Sequence, residues 1–131
     1  MTESQINDLI GAAAKVRERA YAPYSEFQVG AALLTEHGQI FAGCNVENAS
    51  YGLSICAERM AIGQAVAQGN RNIVAVAVVA HPMATPCGAC RQFIAEFGNE
   101  IQVICASADD LTQPIVKSID DLLPDSFSLR D

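Results

Sequence analysis

An uninterrupted apolar run, Ile73 to Ala80 (IVAVAVVA), is the feature that most limits how this chain can fold. A strand with one face in water alternates apolar and polar residues, whereas this segment has no polar residue. Such a run is typical of a strand that is covered on both faces, in a sheet enclosed between two layers of helices. The run therefore predicts a strand of an α/β domain that is covered on both faces.

Helix and strand patterns alternate along the rest of the chain. The predicted helices cover residues 3–20, 56–68, 87–97 and 118–123, and the predicted strands cover 27–35, 39–44, 73–80, 101–106 and 113–117. The first two strands form a predicted hairpin, and Pro114 restricts the last strand to an edge of the sheet. The pattern predicts one domain over residues 1–131, with a three-layer α/β/α fold and a mixed central sheet of about five strands.

The charge balance disfavours two classes of partner. The chain has 8 basic and 15 acidic residues, which gives a formal net charge of −7. It therefore lacks the basic surface that binds nucleic acid or an anionic membrane. No segment has the roughly 20 apolar residues of a membrane span, and residues 1–9 lack the apolar core of a signal peptide. We expect a cytoplasmic protein without nucleic-acid or membrane partners.

Five cysteines need an explanation, because their number is odd and the expected compartment is reducing. Three of them belong to two short motifs, Cys56-Ala57-Glu58-Arg59 and Pro86-Cys87-Gly88-Ala89-Cys90-Arg91-Gln92. Both motifs fall at the predicted start of a helix, where the helix dipole lowers the pKa of a thiol. The other two, Cys44 and Cys105, end or lie in predicted strands and are expected to be buried core thiols.

The spacing of the two motifs favours a zinc site with one open position. Cys87 and Cys90 are three residues apart, so their thiols project to one side of a helical turn, and Cys56 completes a set of three. A catalytic zinc takes three protein ligands and a water molecule. Glu58 can reach the same place only if Cys56 is the N-cap residue, because an offset of two residues on a helix is about 200°.

Other interpretations stay open on spacing alone. A single Cys-x-x-Cys also occurs in redox-active pairs, although such a pair does not need the upstream Cys-x-Glu. A closed structural zinc site needs a fourth ligand, which Cys44 or Cys105 could supply. The combination of Cys-x-Glu with Pro-Cys-x-x-Cys is more specific than either half.

With that combination, the chain resembles the small homotetrameric cytidine deaminases of pyrimidine salvage, in which zinc activates water for attack on a cytosine ring. The resemblance covers nearly the whole chain and rests on residues 21–25, 27–32, 43–51, 56–59, 86–92 and 122–124. It implies one zinc ion per chain, a homotetramer, and hydrolysis of cytidine and 2′-deoxycytidine to the uridine nucleosides with release of ammonia.

The resemblance also implies a role for each site residue. Cys56, Cys87 and Cys90 are the zinc ligands, and Glu58 carries protons from water to N3 of the base and to the leaving amino group. Arg59 offsets the excess negative charge of three thiolates around one Zn²⁺. The implied substrate contacts are Phe27 on the pyrimidine, the Ala57 backbone on the base, Asn45 and Glu47 on the ribose 3′-hydroxyl, and Tyr51 and Phe127 from neighbouring subunits.

Three alternatives differ from this function. One is a deaminase of another cytosine nucleoside, such as an aminoacyl-nucleoside antibiotic, against which Asn45, Glu47 and the Leu-Leu-Pro-x-x-Phe spacing of residues 122–127 argue. A second is an editing enzyme that acts on RNA or DNA, which the net charge of −7 disfavours. The third is a non-catalytic zinc module, which requires four protein ligands. A carboxylate such as Glu47 near the sugar favours a nucleoside over a nucleotide, because it repels a 5′-phosphate.

Overall fold

The computed structural model describes residues 1–130. In chain order its elements are α1 (Glu3–Arg17), β1 (Val29–Thr35), β2 (Ile40–Cys44), a 3₁₀ turn (Tyr51–Leu53), α2 (Ala57–Ala67), β3 (Ile73–Ala80), α3 (Gly88–Ala95), β4 (Gln102–Ser107), β5 (Asp110–Ser118) and α4 (Ile119–Leu122). Every predicted helix and strand is present, with ends that differ by a few residues. The 3₁₀ turn was not predicted, and it lies in the polar segment before α2.

The five strands form one mixed sheet in the order β2-β1-β3-β4-β5. Strand β3 pairs antiparallel with β1 and parallel with β4, and the hairpins β1–β2 and β4–β5 are antiparallel. The apolar run is therefore the central strand of the sheet. Pro114 lies in β5 at one edge, where its missing N–H removes no hydrogen bond from the sheet interior.

Helices cover both faces of the sheet, which confirms the three layers. On one face, Leu9, Ile10 and Ala13 of α1 pack on a set that includes Ala77 and Val79. The opposite face buries Val76 and Val78 beneath residues of α2, α3 and α4. Successive residues of β3 thus enter different cores, which explains why the run does not alternate with polar residues.

A close approach fixes α2 on the sheet. A Cβ atom at Gly43 in β2 would lie 2.5 Å from the Ala61 nitrogen and 2.8 Å from the Met60 Cβ, so only glycine allows this separation. The start of α2 is thereby held near the end of β2. Between residues 1 and 130, no helix is long and apolar enough to cross a membrane.

Candidate functional site

Helix α2 begins at a cysteine that does not cap it with its side chain. Cys56 is the N-cap residue, with an extended backbone (φ −72°, ψ 152°), and its thiol makes no hydrogen bond to the first turn. Ala57 and Glu58 follow in that turn and are buried. This confirms the geometry that the sequence required for Cys56 and Glu58 to face one place.

Helix α3 begins in the same manner. Cys87 is its N-cap residue, again extended (φ −65°, ψ 168°) and again without a capping hydrogen bond from its side chain. Cys90 lies in the first turn and is fully buried, whereas Cys87 is exposed. The two helices therefore bring three thiols together from separate parts of the chain.

The three sulfur atoms lie within 4.8 Å of one another, and the Cys56 and Cys87 sulfurs are 3.8 Å apart. Ligands at about 2.3 Å from a tetrahedral zinc ion are about 3.8 Å from each other, so the donor set fits zinc. Within residues 1–130, no fourth Cys, His, Asp or Glu joins the group. That leaves an open position and disfavours the closed structural site.

Arg59 contacts this group directly. Its Nη2 atom lies 3.4 Å from the Cys56 sulfur, and its Nε atom is buried without a hydrogen-bond partner in the described part of the chain. Hydrogen bonding from Cys90, with further contributions from Arg59 and Cys87, lowers the pKa of Cys56 to about 5. The same Cys56–Cys90 bond raises the pKa of Cys90. These contacts favour the thiolate form of Cys56.

Glu58 is only 4% exposed. Burial raises its pKa, and the nearby negative charge of Cys56 adds to the rise. A raised pKa makes a carboxylate a stronger base, which helps it to accept a proton before returning it. The environment of Glu58 therefore suits general acid–base chemistry.

Cys56, Glu58 and Cys87 line a cavity of about 200 Å³. Its other walls are mainly apolar and include Phe27, Val29, Ala57, Val78 and Ala84, with the polar residues Asn45 and Thr85. A small, flat and uncharged ring matches this shape and lining better than a charged group does.

Phe27, Asn45 and Ala57 lie at this cavity, where the sequence analysis placed them. The Asn45 side chain accepts a hydrogen bond from the Val29 nitrogen and donates one to the Phe27 carbonyl, both at 2.9 Å. These two bonds hold the backbone of Phe27 and Val29, and so they fix the position of Phe27 just before β1.

Glu47 and Tyr51 instead line a second cavity of about 300 Å³. The Glu47 carboxylate accepts hydrogen bonds from the Tyr24 nitrogen at 3.0 Å, from the Ser25 nitrogen at 3.1 Å and from the Ser25 hydroxyl. The Ser25 hydroxyl is the main reason that the pKa of Glu47 is lowered. Phe127 lines neither cavity, and Gln92 donates a 3.0 Å hydrogen bond to its carbonyl oxygen. In the described part of the chain, none of these three residues lines the cavity beside the sulfur cluster.

The structure corrects one expectation and adds residues that the sequence analysis did not identify. Cys105 is buried as predicted, and burial raises its pKa to about 11, but Cys44 is only half-buried because β2 is an edge strand. Thr85 lines the cavity beside Cys56 and Glu58 without any signal in the sequence. Arg91, which follows Cys90 in the second motif, donates hydrogen bonds to Thr85, Pro86 and Leu122. Its place in that motif was the one signal in the sequence that pointed to it.

Comparison with known proteins gives one consistent result. The family model for the cytidine and deoxycytidylate deaminase zinc-binding region matches residues 3–106. The chain is 47% identical to the cytidine deaminase of Halalkalibacterium halodurans, with 94% of each chain covered, and 46% identical to that of Sporosarcina psychrophila, with 96% and 93% covered. The crystal structure of cytidine deaminase from Burkholderia pseudomallei superposes with a TM-score of 0.87 at 50% identity, over 97% of this chain and all of that one.

Proposed function

The chain belongs to the zinc-dependent cytidine deaminase family, and on this basis we propose that it hydrolyses cytidine and 2′-deoxycytidine to uridine and 2′-deoxyuridine. The observation that carries the proposal is a buried carboxyl group, Glu58, beside three convergent cysteines in a small apolar cavity. Its place is pyrimidine salvage in the cytoplasm.

Cys56, Cys87 and Cys90 would hold one zinc ion per chain. When bound, zinc supplies a Lewis acid that makes water acidic enough to react near neutral pH. Arg59 donates to the Cys56 sulfur and so reduces the excess negative charge of three thiolates. This contact supports a role for Arg59 in keeping the site electrophilic.

Glu58 moves the protons of the reaction. It accepts a proton from the water molecule whose oxygen bonds to C4 of the cytosine ring, and it delivers this proton to N3. It then takes the remaining proton from the new hydroxyl group on C4 and transfers it to the amino group, so that the C4–N bond breaks, ammonia leaves, and the C4 carbonyl of the uracil base forms. The buried position and raised pKa of Glu58 support both halves of this transfer.

The substrate is positioned by residues from two cavities. Phe27 contacts the pyrimidine, the Ala57 backbone bonds the base, and Asn45 and Glu47 bond the ribose 3′-hydroxyl. A carboxylate offers about four acceptor sites, and three of those on Glu47 are used, which leaves one for a sugar hydroxyl. The lowered pKa of Glu47 keeps its charge, which disfavours a 5′-phosphate on the substrate.

A homotetramer supplies the remaining contacts in this proposal, with Tyr51 and Phe127 reaching the cavity of a neighbouring subunit. Both side chains are strongly exposed in one chain, at 85% and 70%. Further large apolar residues around the site are exposed as well, namely Tyr21, Tyr24, Val46, Leu53 and Ile55. Such a surface is typical of a subunit interface. Sedimentation velocity tests this assembly, and a monomer at working concentration would contradict it.

The function is tested by ammonia release and loss of cytidine absorbance in zinc-loaded protein. We expect turnover by the wild type and a fall of about 10²- to 10⁴-fold in kcat for Glu58→Gln at equal zinc content. Glu96→Gln, at the exposed position that directly follows α3, is the matched control and should keep full activity. Wild-type protein that holds zinc but turns over neither nucleoside would overturn the proposal. Four sulfur ligands in the zinc absorption spectrum would indicate a structural site instead.

A further inference from the structure

The segment that leads into α3 has almost no hydrogen bonds of its own. Residues 82–86 contain two prolines, which lack an N–H donor, and in the described chain these residues make no backbone-to-backbone hydrogen bond. The next residue, Cys87, cannot cap α3 because its thiol faces the other sulfurs. The start of this helix therefore needs stabilisation from elsewhere.

Arg91 provides it from the second turn of α3. Its Nε donates to the Pro86 carbonyl at 2.8 Å, and its Nη2 donates to the Thr85 hydroxyl at 2.9 Å. The Nη1 atom donates to the Leu122 carbonyl, at the end of α4, at 2.8 Å. Within residues 1–130, the first two are the only hydrogen bonds that hold residues 82–86. One planar guanidinium thus joins three segments through charge-assisted bonds.

We propose that Arg91 is a positioning residue, which sets the direction of the Cys87 thiol and the place of Thr85 in the cavity wall by clamping residues 85–86 between α3 and the end of α4. This role rests on the proposed function, because it assumes that Cys87 binds zinc and that the cavity binds the substrate. It differs from the role of Arg59, which touches sulfur. Arg91 acts on the backbone before the ligand, and no hydrogen bond joins it to a thiol in residues 1–130.

The planar guanidinium group of Arg91 allows a positioning role to be distinguished from an effect of its charge alone. A lysine at position 91 keeps the positive charge but cannot reach three acceptors in fixed directions. Arg91→Lys and Arg91→Gln should therefore have similar consequences. If Arg91 acted only through its charge on the thiolates, the lysine variant would behave as the wild type.

The test measures the rate at which zinc passes from the loaded protein to a colorimetric chelator, together with KM, kcat and the denaturant midpoint. For Arg91→Gln and Arg91→Lys we expect zinc release about 10- to 100-fold faster than in the wild type, with a rise in KM that exceeds the fall in kcat at full loading.

Two controls isolate the clamp. Arg71→Gln makes the same change of charge at an exposed position, and Gln92→Ala removes a bond from α3 to the C-terminal segment without touching residues 82–86. Both should release zinc within about twofold of the wild-type rate.

Either of two results overturns the proposal: full rescue of zinc retention by Arg91→Lys, or release from Arg91→Gln at the rate of Arg71→Gln. If the Arg91 variants do not fold, Thr85→Val removes one bond of the clamp, and it should speed release by about 2- to 10-fold. A rate of zinc release from Thr85→Val equal to that of the wild type would also overturn the proposal. Zinc release does not depend on turnover, so an inactive wild type with the expected release pattern would contradict the proposed function and leave the role of Arg91 intact.

Discussion

Helices α2 and α3 both begin at a cysteine in extended conformation whose side chain makes no capping hydrogen bond. Each helix carries an arginine close behind, but the two arginines are used differently. Arg59 donates to the sulfur of its own N-cap residue, whereas Arg91 donates to the backbone and side chain that precede Cys87. In the proposed function, the first arginine adjusts the charge of one zinc ligand, and the second adjusts the position of another.

The surroundings of the two helix starts explain this difference. Helix α2 packs directly on β2 at Gly43, and Ala57 and Glu58 in its first turn are buried, so packing holds the start of this helix in place. Helix α3 follows a proline-containing segment without backbone hydrogen bonds, and its N-cap residue is exposed. Because packing already holds the start of α2, Arg59 is free to contact a sulfur atom. The start of α3 lacks such packing, so Arg91 is needed to hold the preceding residues in place.

The largest expected effects come from removing each N-cap ligand. Cys56→Ala and Cys87→Ala should both lower kcat at least about 1000-fold, because several kcal/mol of Lewis-acid stabilisation disappear. Only Cys56→Ala also leaves the partly buried Arg59 without its sulfur partner. We therefore expect it to lower the free energy of unfolding by about 1–3 kcal/mol more than Cys87→Ala does. Kinetics and denaturant unfolding of the two variants measure this, and equal unfolding curves would remove the distinction.

The charge role of Arg59 predicts an intermediate effect. Arg59→Gln should reduce kcat about 10- to 100-fold at full zinc loading, with a smaller change in KM. This is the reverse of the pattern expected for Arg91→Gln. Steady-state kinetics of the two variants provide the measurement. If kcat and KM change in the same proportion in both variants, the two arginines do not have different roles.

The support of α2 by β2 predicts a smaller effect on stability. A methyl group at Gly43 would push α2 away from β2, so Gly43→Ala should lower the free energy of unfolding by about 1–3 kcal/mol. Activity should fall with it, since α2 carries Glu58. Unfolding in denaturant gives the first value, and a fully stable variant would mean that α2 is not fixed by this contact.

The smallest expected effect is at the corresponding place in α3. A Cβ atom at Gly88, the first residue of that helix, meets nothing within 4 Å, and the residue has no positive φ. Gly88→Ala should therefore stabilise the protein by about 0.4–1 kcal/mol through the unfolded state, with zinc release unchanged. Thermal unfolding checks the sign, and destabilisation would show that the start of α3 is as tightly packed as that of α2.

The sequence was sufficient for features that depend on local pattern. The apolar run identified β3 as a strand covered on both faces. The two-residue offset between Cys56 and Glu58 required the N-cap position that the structure contains. The bounds of β5 were less accurate, because its exposed residues lack a regular alternation.

Features that depend on distant contacts were not predictable from the residues alone. Arg91 and Leu122 are 31 residues apart, and nothing in either segment indicates that they meet. The same holds for Glu47, whose carboxylate binds Ser25 across 22 residues and therefore faces a different cavity from Glu58. The resemblance to a family named Glu47 as a substrate contact, but its place in the fold required the structure.

The edge position of β5 has a consequence for the behaviour of the protein in concentrated solution. An outer strand offers its unpaired backbone groups to any other strand, and Ile115 and Val116 add exposed apolar surface to it. Pro114 and Lys117 flank these two residues, one without a donor and one with a charge. Such flanking residues oppose edge-to-edge aggregation, so this strand carries both the exposed edge and the residues that protect it.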